Sequence, residues 1–157
     1  MTDALASRFE DRDHSPGFLL WRVTNAWQRT IRAALAPHEL THVQFVLLAT
    51  IADAHPAPLT QRELADAATT DAMMTSQVVR ALAARGLVER HPHPTDRRAV
   101  SVTATAEGID AVNAAIQVVE DADAEYFAAL GDRRDEFRDL LVVLGARFAS
   151  SDAQNRE

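Results

Sequence analysis

Apolar residues recur at three- and four-residue steps along most of this chain, and they divide it into helices with one short interruption. From Pro16, a residue favoured in a first helical turn, Leu20, Val23, Trp27, Ile31 and Leu35 share one face until Pro37 stops the helix. Thr41 caps a second helix, HVQFVLLATIADAH, whose apolar positions run almost all round, the mark of burial on most sides; Pro56 and Pro58 close it. Thr60 opens a third helix with Glu63 three residues on, the reciprocal capping-box spacing. After the polar turn Thr69-Thr70-Asp71, a fourth helix runs from about Ala72 to Arg85 and ends at Gly86.

The period then changes. Leu87–His91 and Arg98–Ala104 alternate as strands do, joined by the turn HPHPTD. Thr105 caps a long helix expected to reach about Leu130, with Ile109, Val112, Ile116, Val119, Asp123, Tyr126 and Leu130 stepping as a heptad seam broken by Asp123. Such a helix spans roughly 38 Å at ~1.5 Å per residue, which suggests a partner chain as its cover. Gly131-Asp132 breaks it, and a last helix presents Phe137, Leu140, Leu141, Leu144 and Phe148. Residues 1–15 lack periodicity and are expected to fray.

These elements predict a mainly α chain with a small β-hairpin wing. Residues 41–104 form a winged helix-turn-helix lobe, and residues 16–40 with 105–150 a helical dimerisation region. The polar, acidic N-terminus lacks a signal-peptide pattern, and no apolar run approaches a membrane span, so a cytoplasmic protein without a membrane partner is expected. No cysteine is present, which removes disulfides, thiol redox sensing and Cys-ligated metals. The net charge of −7 argues at first against nucleic acid. Its distribution reverses that: residues 60–103 hold six Arg against five acids, leaving −8 for the remainder, and residues 104–131 hold six acids and no base.

On the fourth helix, Thr75, Val78, Val79 and Leu82 form the packed face, and Met73, Ser76, Gln77 and Arg80 lie opposite. Arg forks to guanine, Gln pairs with adenine, and Ser bonds bases or phosphate; the helix N-terminus also points N–H groups toward phosphate. Read alone, this is more readily the solvated side of an amphipathic helix; its position between a capped short helix and a basic hairpin reverses that in favour of DNA. At the hairpin tip, Arg97 and Arg98 suit a narrow minor groove, and Asp96 can orient a neighbouring Arg.

The pieces LTHVQFVLL, LTQRELADA, VVRALAARGLVER, PTDRRA and TATAEG, in this order from Leu40 to Gly108, resemble the MarR family of winged-helix regulators. The resemblance implies a homodimer on a palindromic duplex site, often with a small-molecule pocket between lobes, with Arg98 in the minor groove and Asp96 supporting it. It departs from the family where a Leu-Gly pair is replaced by Thr69-Thr70, and where Met74 and Gln77 stand in place of a small or Thr residue and an Arg. The expected DNA contacts are Thr60, Gln61, Met73, Met74, Ser76, Gln77, Arg80, Arg97 and Arg98. The expected dimer contacts are Leu20, Phe127, Leu130, Phe137, Leu141, Leu144 and Phe148.

Trp21, Arg22, Trp27, His42 and Phe45 lie where such regulators hold an effector; they read either as plain core or as a pocket for a small aromatic ligand. His91 and His93 have a spacing able to hold a metal but no third ligand, so a stiff wing is the better reading, and no metal or cofactor is expected. Nucleophile motifs and Gly-rich phosphate loops are absent, so the chain is not expected to be an enzyme. The sequence thus reads as a homodimeric, sequence-specific DNA-binding transcriptional regulator, expected to be a repressor released by a small-molecule ligand, with a winged-helix protein-interaction adaptor that does not bind DNA as the alternative.

Overall fold

A computed structural model describes residues 6–93, Thr95 and 99–154, and for residues 147–154 the backbone alone. The elements run α1 (Pro16–Leu35), α2 (His42–Asp53), β1 (Leu59–Thr60), α3 (Gln61–Ala68), α4 (Ala72–Ala84), β2 (Val88–Pro92), β3 (Val100–Ala104), α5 (Ala106–Tyr126) and α6 (Arg134–Gln154). The fold is mainly helical with a small antiparallel sheet, as the hydrophobic pattern predicts. Two compact units divide the chain, one up to Glu120 and one from Asp121.

The first unit is built on a core of fully buried Ile31, Leu35, Leu47, Leu48, Ile51, Leu64, Val79, Leu82, Val102 and Val112. Its helices start where the sequence supplies a cap. Ser15 Oγ accepts from Phe18 N at the head of α1, and Thr41 with Gln44 forms a full capping box on α2. Ahead of Ser15, residues expected to fray include a 3-10 turn, Arg12–His14, held because the Asp11 carboxylate accepts from the N–H groups of Asp13 and His14.

The sheet has one strand more than the hydrophobic pattern predicts. Its order is β1-β3-β2, all antiparallel, with Leu59 opposite Val102 and Arg90 opposite the same Val102 on the other side. The two residues of β1 are too few to show a period, so only pairing reveals them. On β3, Ser101, Val102 and Ala104 are buried, whereas Glu89 to Pro92 of β2 are exposed, so β2 is the outward edge of the hairpin.

The start of α5 is fixed by close contact. Thr105 Oγ1 donates to the Gly86 carbonyl at 2.7 Å, Thr105 N donates to the Leu87 carbonyl at 3.1 Å, and Thr105 Oγ1 accepts from Gly108 N at 3.0 Å. Gly86 itself takes φ +73, the left-handed conformation that ends α4. A Cβ on Gly108 would stand 1.9 Å from the Leu87 carbonyl oxygen, so only glycine permits this approach.

In the second unit, α5 ends at Tyr126, short of the expected Leu130. Residues Phe127–Arg133 form 3-10 structure interrupted by Gly131 at φ 54, ψ −129, and α6 follows. Aromatic packing accounts for the early end: Phe127 sits against Tyr126 and against Phe137 of α6, with ring centroids 5.2 and 5.7 Å apart.

Replacing a helical glycine by alanine ordinarily stabilises a helix by roughly 1 kcal/mol. Gly108→Ala should do the reverse, destabilising by about 1–3 kcal/mol or more because backbone must shift. Chemical denaturation checks this; a Gly108→Ala protein as stable as its parent would show that the approach of α5 to Leu87 is not obligatory.

Candidate nucleic-acid interface

The α3–turn–α4 segment is assembled by local hydrogen bonds. Thr60 Oγ1 accepts from Glu63 N at 3.1 Å, and the Glu63 carboxylate accepts from Thr60 N and Thr60 Oγ1, each at 2.7 Å. These bonds hold the Glu63 carboxyl below the usual carboxylate range, the Thr60 backbone N–H being the largest cause. At the other end of α3, Thr70 N donates to Ala65 O and Thr69 N to Asp66 O, the Schellman arrangement. The left-handed residue is Thr69, at φ 51 and ψ 45, where a glycine would be unstrained. A β-branched residue there costs on the order of 1–2 kcal/mol, and the surrounding hydrogen bonds hold it.

Asp71 is the N-cap of α4, its carboxylate accepting from Met74 N at 2.7 Å. The N–H of Met74 is thus taken by a side-chain anion, which leaves fewer first-turn N–H groups for phosphate than the sequence suggests. Thr75 is wholly buried, its Oγ1 donating to the Asp71 carbonyl and sharing a hydrogen bond with Thr70 Oγ1, both at 2.8 Å. Thr75, Val78, Val79 and Leu82 are the buried face, as the sequence indicates.

At ~100° per residue, Met73, Gln77 and Arg80 point roughly 150–170° away from that buried face, with Met74 and Ser76 on its two flanks. Met73 is 73% exposed and Met74 42%. Gln77 and Arg80 are exposed, and Ser76 is half-buried. Arg80 Nε donates to the Ser76 carbonyl at 3.3 Å, which lays its guanidinium along the helix. The face therefore combines a cation, an amide and two thioethers on a rigid, capped helix.

Thr60 and Gln61 fit this surface less directly. The Thr60 hydroxyl is engaged in the capping box, and Gln61 is half-buried with its Nε2 unpaired among the described residues. Asp96, Arg97 and Arg98 lie outside the described residues. At the wing's base, His91 Nε2 lies 3.0 Å from Thr103 Oγ1 and 3.6 Å from Glu89. Sequence reasoning missed Asp71 as a cap, although Asp directly before an amphipathic run is a start signal. It also missed Arg85, whose Nη1 donates to the Glu39 carbonyl at 2.7 Å and ties the end of α4 to the turn between α1 and α2.

The five expected effector residues fall into two groups. Trp27 meets His42 edge-to-face at 5.1 Å, both half-buried, and Phe45 is half-buried one turn along α2. Trp21 is 64% exposed and stacks on Phe18, while Arg22 pairs with Asp13 at 3.0 Å and lies over the Phe18 ring. Six residues, about 9 Å of helix, separate Trp21 from Trp27. Arg22 lines a separate open cleft of about 380 Å³ with Asp11, Arg12, Asp13 and Phe18.

Comparison with known proteins decides the family. The MarR family model matches residues 40–100. The uncharacterized HTH-type transcriptional regulator YdcH of Bacillus subtilis is 46% identical over 140 residues, covering 88% of this chain and 95% of that protein. The chain belongs to the MarR family. Among solved MarR-family structures, it is similar to an Escherichia coli MarR variant complexed with operator DNA, with TM-score 0.71, 29% identity and coverage of 83% of this chain and 91% of that one. It is also similar to the Mycobacterium tuberculosis MarR family protein Rv2887 in complex with p-aminosalicylic acid, with TM-score 0.67, 32% identity and coverage of 83% and 98%. This MarR-family chain is accordingly a helix-turn-helix transcriptional regulator.

The capping box gives a pH test. Because Glu63 is held below its free value, its contribution is full above roughly pH 4.3, the value of an unperturbed glutamate, and is lost as pH falls through the folded-state value. Glu63→Ala should therefore lower the melting temperature at neutral pH, with the gap to the parent closing in acid. A gap independent of pH would mean that the carboxylate does not cap α3.

Proposed function

We propose that this chain is a homodimeric repressor that binds a palindromic duplex operator and is released by a small aromatic ligand. The observation that carries the DNA reading is the exposed stripe Met73–Gln77–Arg80, set on a capped helix with its opposite face wholly buried. Two such helices, one per protomer, would enter successive major grooves about 34–36 Å apart. The DNA complex of the E. coli relative supports this reading. The wing tip, Asp96-Arg97-Arg98, is assigned to the minor groove through the family resemblance.

Dimerisation is supported by exposed apolar side chains. On α6, Leu140, Leu141, Val142, Val143 and Leu144 are between 43% and 66% exposed. On α1, Leu19, Leu20, Trp21 and Val23 are between 39% and 64% exposed. Apolar groups in such number call for a cover. Phe127, Leu130 and Phe137 are half-buried, and Phe148 lies outside the residues whose side chains are described. We assign dimerisation to residues 16–40 and 105–150, and DNA binding to 41–104.

Duplex fragments selected from genomic DNA test the main reading. Affinity should fall steeply and linearly against log salt, as phosphate contacts release counterions. Gln77→Ala should cost roughly 1–3 kcal/mol and relax one base position, and Arg98→Ala should weaken binding while leaving the dimer intact. A flat salt response would favour the protein-binding adaptor.

The ligand reading rests on the Trp27–His42 contact and on the p-aminosalicylic acid complex of Rv2887. Aromatic carboxylates should quench tryptophan fluorescence and lower operator affinity together. If neither changes, that ligand class is excluded.

A further inference from the structure

We propose that Met73 and Met74 read thymine, by packing their thioether side chains on 5-methyl groups in the major groove. The inference rests on the DNA-binding reading above and names the bases that its recognition face selects. Both methionines belong to the first turn of α4, the part of a recognition helix that approaches base edges. Met73 is 73% exposed and points away from the core, and Met74 is 42% exposed on the adjoining flank. Among the described residues, nothing covers most of Met73, and Met74 keeps about two fifths of its surface exposed.

Chemistry narrows what covers them. Of the four bases, thymine alone presents a methyl group in the major groove; the other edges there are dominated by hydrogen-bond donors and acceptors that a thioether does not satisfy. Phosphate is a poor neighbour for this turn, because the Asp71 carboxylate caps Met74 N and places a negative charge beside it. The turn therefore seats on base edges, with backbone contact left to cations elsewhere in the lobe. Unbranched methionine has the flexibility to follow a methyl on either strand.

Gln77 fixes the neighbourhood. It lies four residues from Met73 and three from Met74, on the same outward side, and its amide is suited to adenine N6 and N7. The rise between Met73 and Gln77 is about 6 Å, close to two base-pair steps. Each half-site should thus hold adjoining A·T pairs, with methyls under the methionines and an adenine under Gln77.

The experiment uses the full chain and a duplex selected by it from random sequence. Each thymine is replaced in turn by deoxyuridine, which deletes the methyl and leaves pairing unchanged, and affinity is measured by fluorescence anisotropy. One or two positions per half-site should weaken binding by about fourfold per methyl, the loss expected for one buried methyl-sized group. The double variant Met73→Ala, Met74→Ala should bind thymine and deoxyuridine duplexes alike; both residues are exposed and alanine favours helix, so circular dichroism should match the parent. If deoxyuridine is neutral at every position while the parent still binds the duplex, the thymine reading fails and the DNA-binding reading stands. Discrimination that survives in the double variant also overturns it, by moving the methyl contact to other residues. Failure to select any duplex overturns the DNA-binding reading and this inference with it.

Discussion

Three elements meet at a hydrogen-bonded corner, and their mutual placement depends on it. Thr105 donates to the carbonyl of Gly86 and to that of Leu87, and accepts from Gly108 N. Gly86 ends α4, Leu87 leads into β2, and Thr105 with Gly108 begins α5. The glycine at 108 lets α5 approach the Leu87 backbone more closely than any side chain allows. Because hydrogen bonds and steric exclusion act together, α4, the β2–β3 hairpin and α5 share one rigid origin. Whatever moves α5 in the proposed dimer acts directly on the end of α4.

A second tie reaches the same helix from the other side. Arg85, just past α4, donates to the carbonyl of Glu39, a residue in the left-handed conformation that closes the turn after α1. A charge-assisted bond of this kind is stronger than one between neutral groups. The Trp27–His42 contact joins α1 to α2 on either side of that turn. The proposed ligand region and α4 are therefore linked through one short path of packed and hydrogen-bonded groups.

What was legible in the sequence is what local chemistry decides. Thr41, Thr60, Gly86, Thr105 and Gly131 mark element ends through their own side chains or conformational freedom. The buried face of α4 follows from a 3.6-residue period alone. What the sequence did not disclose depends on partners distant along the chain. Strand β1 exists only because Leu59 and Thr60 meet β3. The long helix ends four residues early because Phe127 packs on Phe137, and no local signal forbids it from reaching Leu130. On α4, periodicity placed Met73, Gln77 and Arg80 on the outward face, as observed, but also Ser76, which lies half-buried on a flank. It could not show that Asp71 occupies the helix end, nor that Trp21 and Trp27 make separate sets of contacts.

Charge and apolar contact have complementary parts in the proposed recognition. The whole chain is acidic, at −7, but at physiological ionic strength exposed charges act over only about 8 Å. The lobe's own balance is only +1 over residues 60–103, and Asp71 removes the favourable field from the head of α4. The six Arg of that segment would supply the phosphate contacts and with them the salt-dependent part of the affinity. Discrimination between base pairs would come from groove contacts, which the proposal assigns to Gln77 and the two methionines. In the proposed recognition, phosphate contacts would thus set the affinity common to all sequences, and the outward face of α4 would set the choice among them.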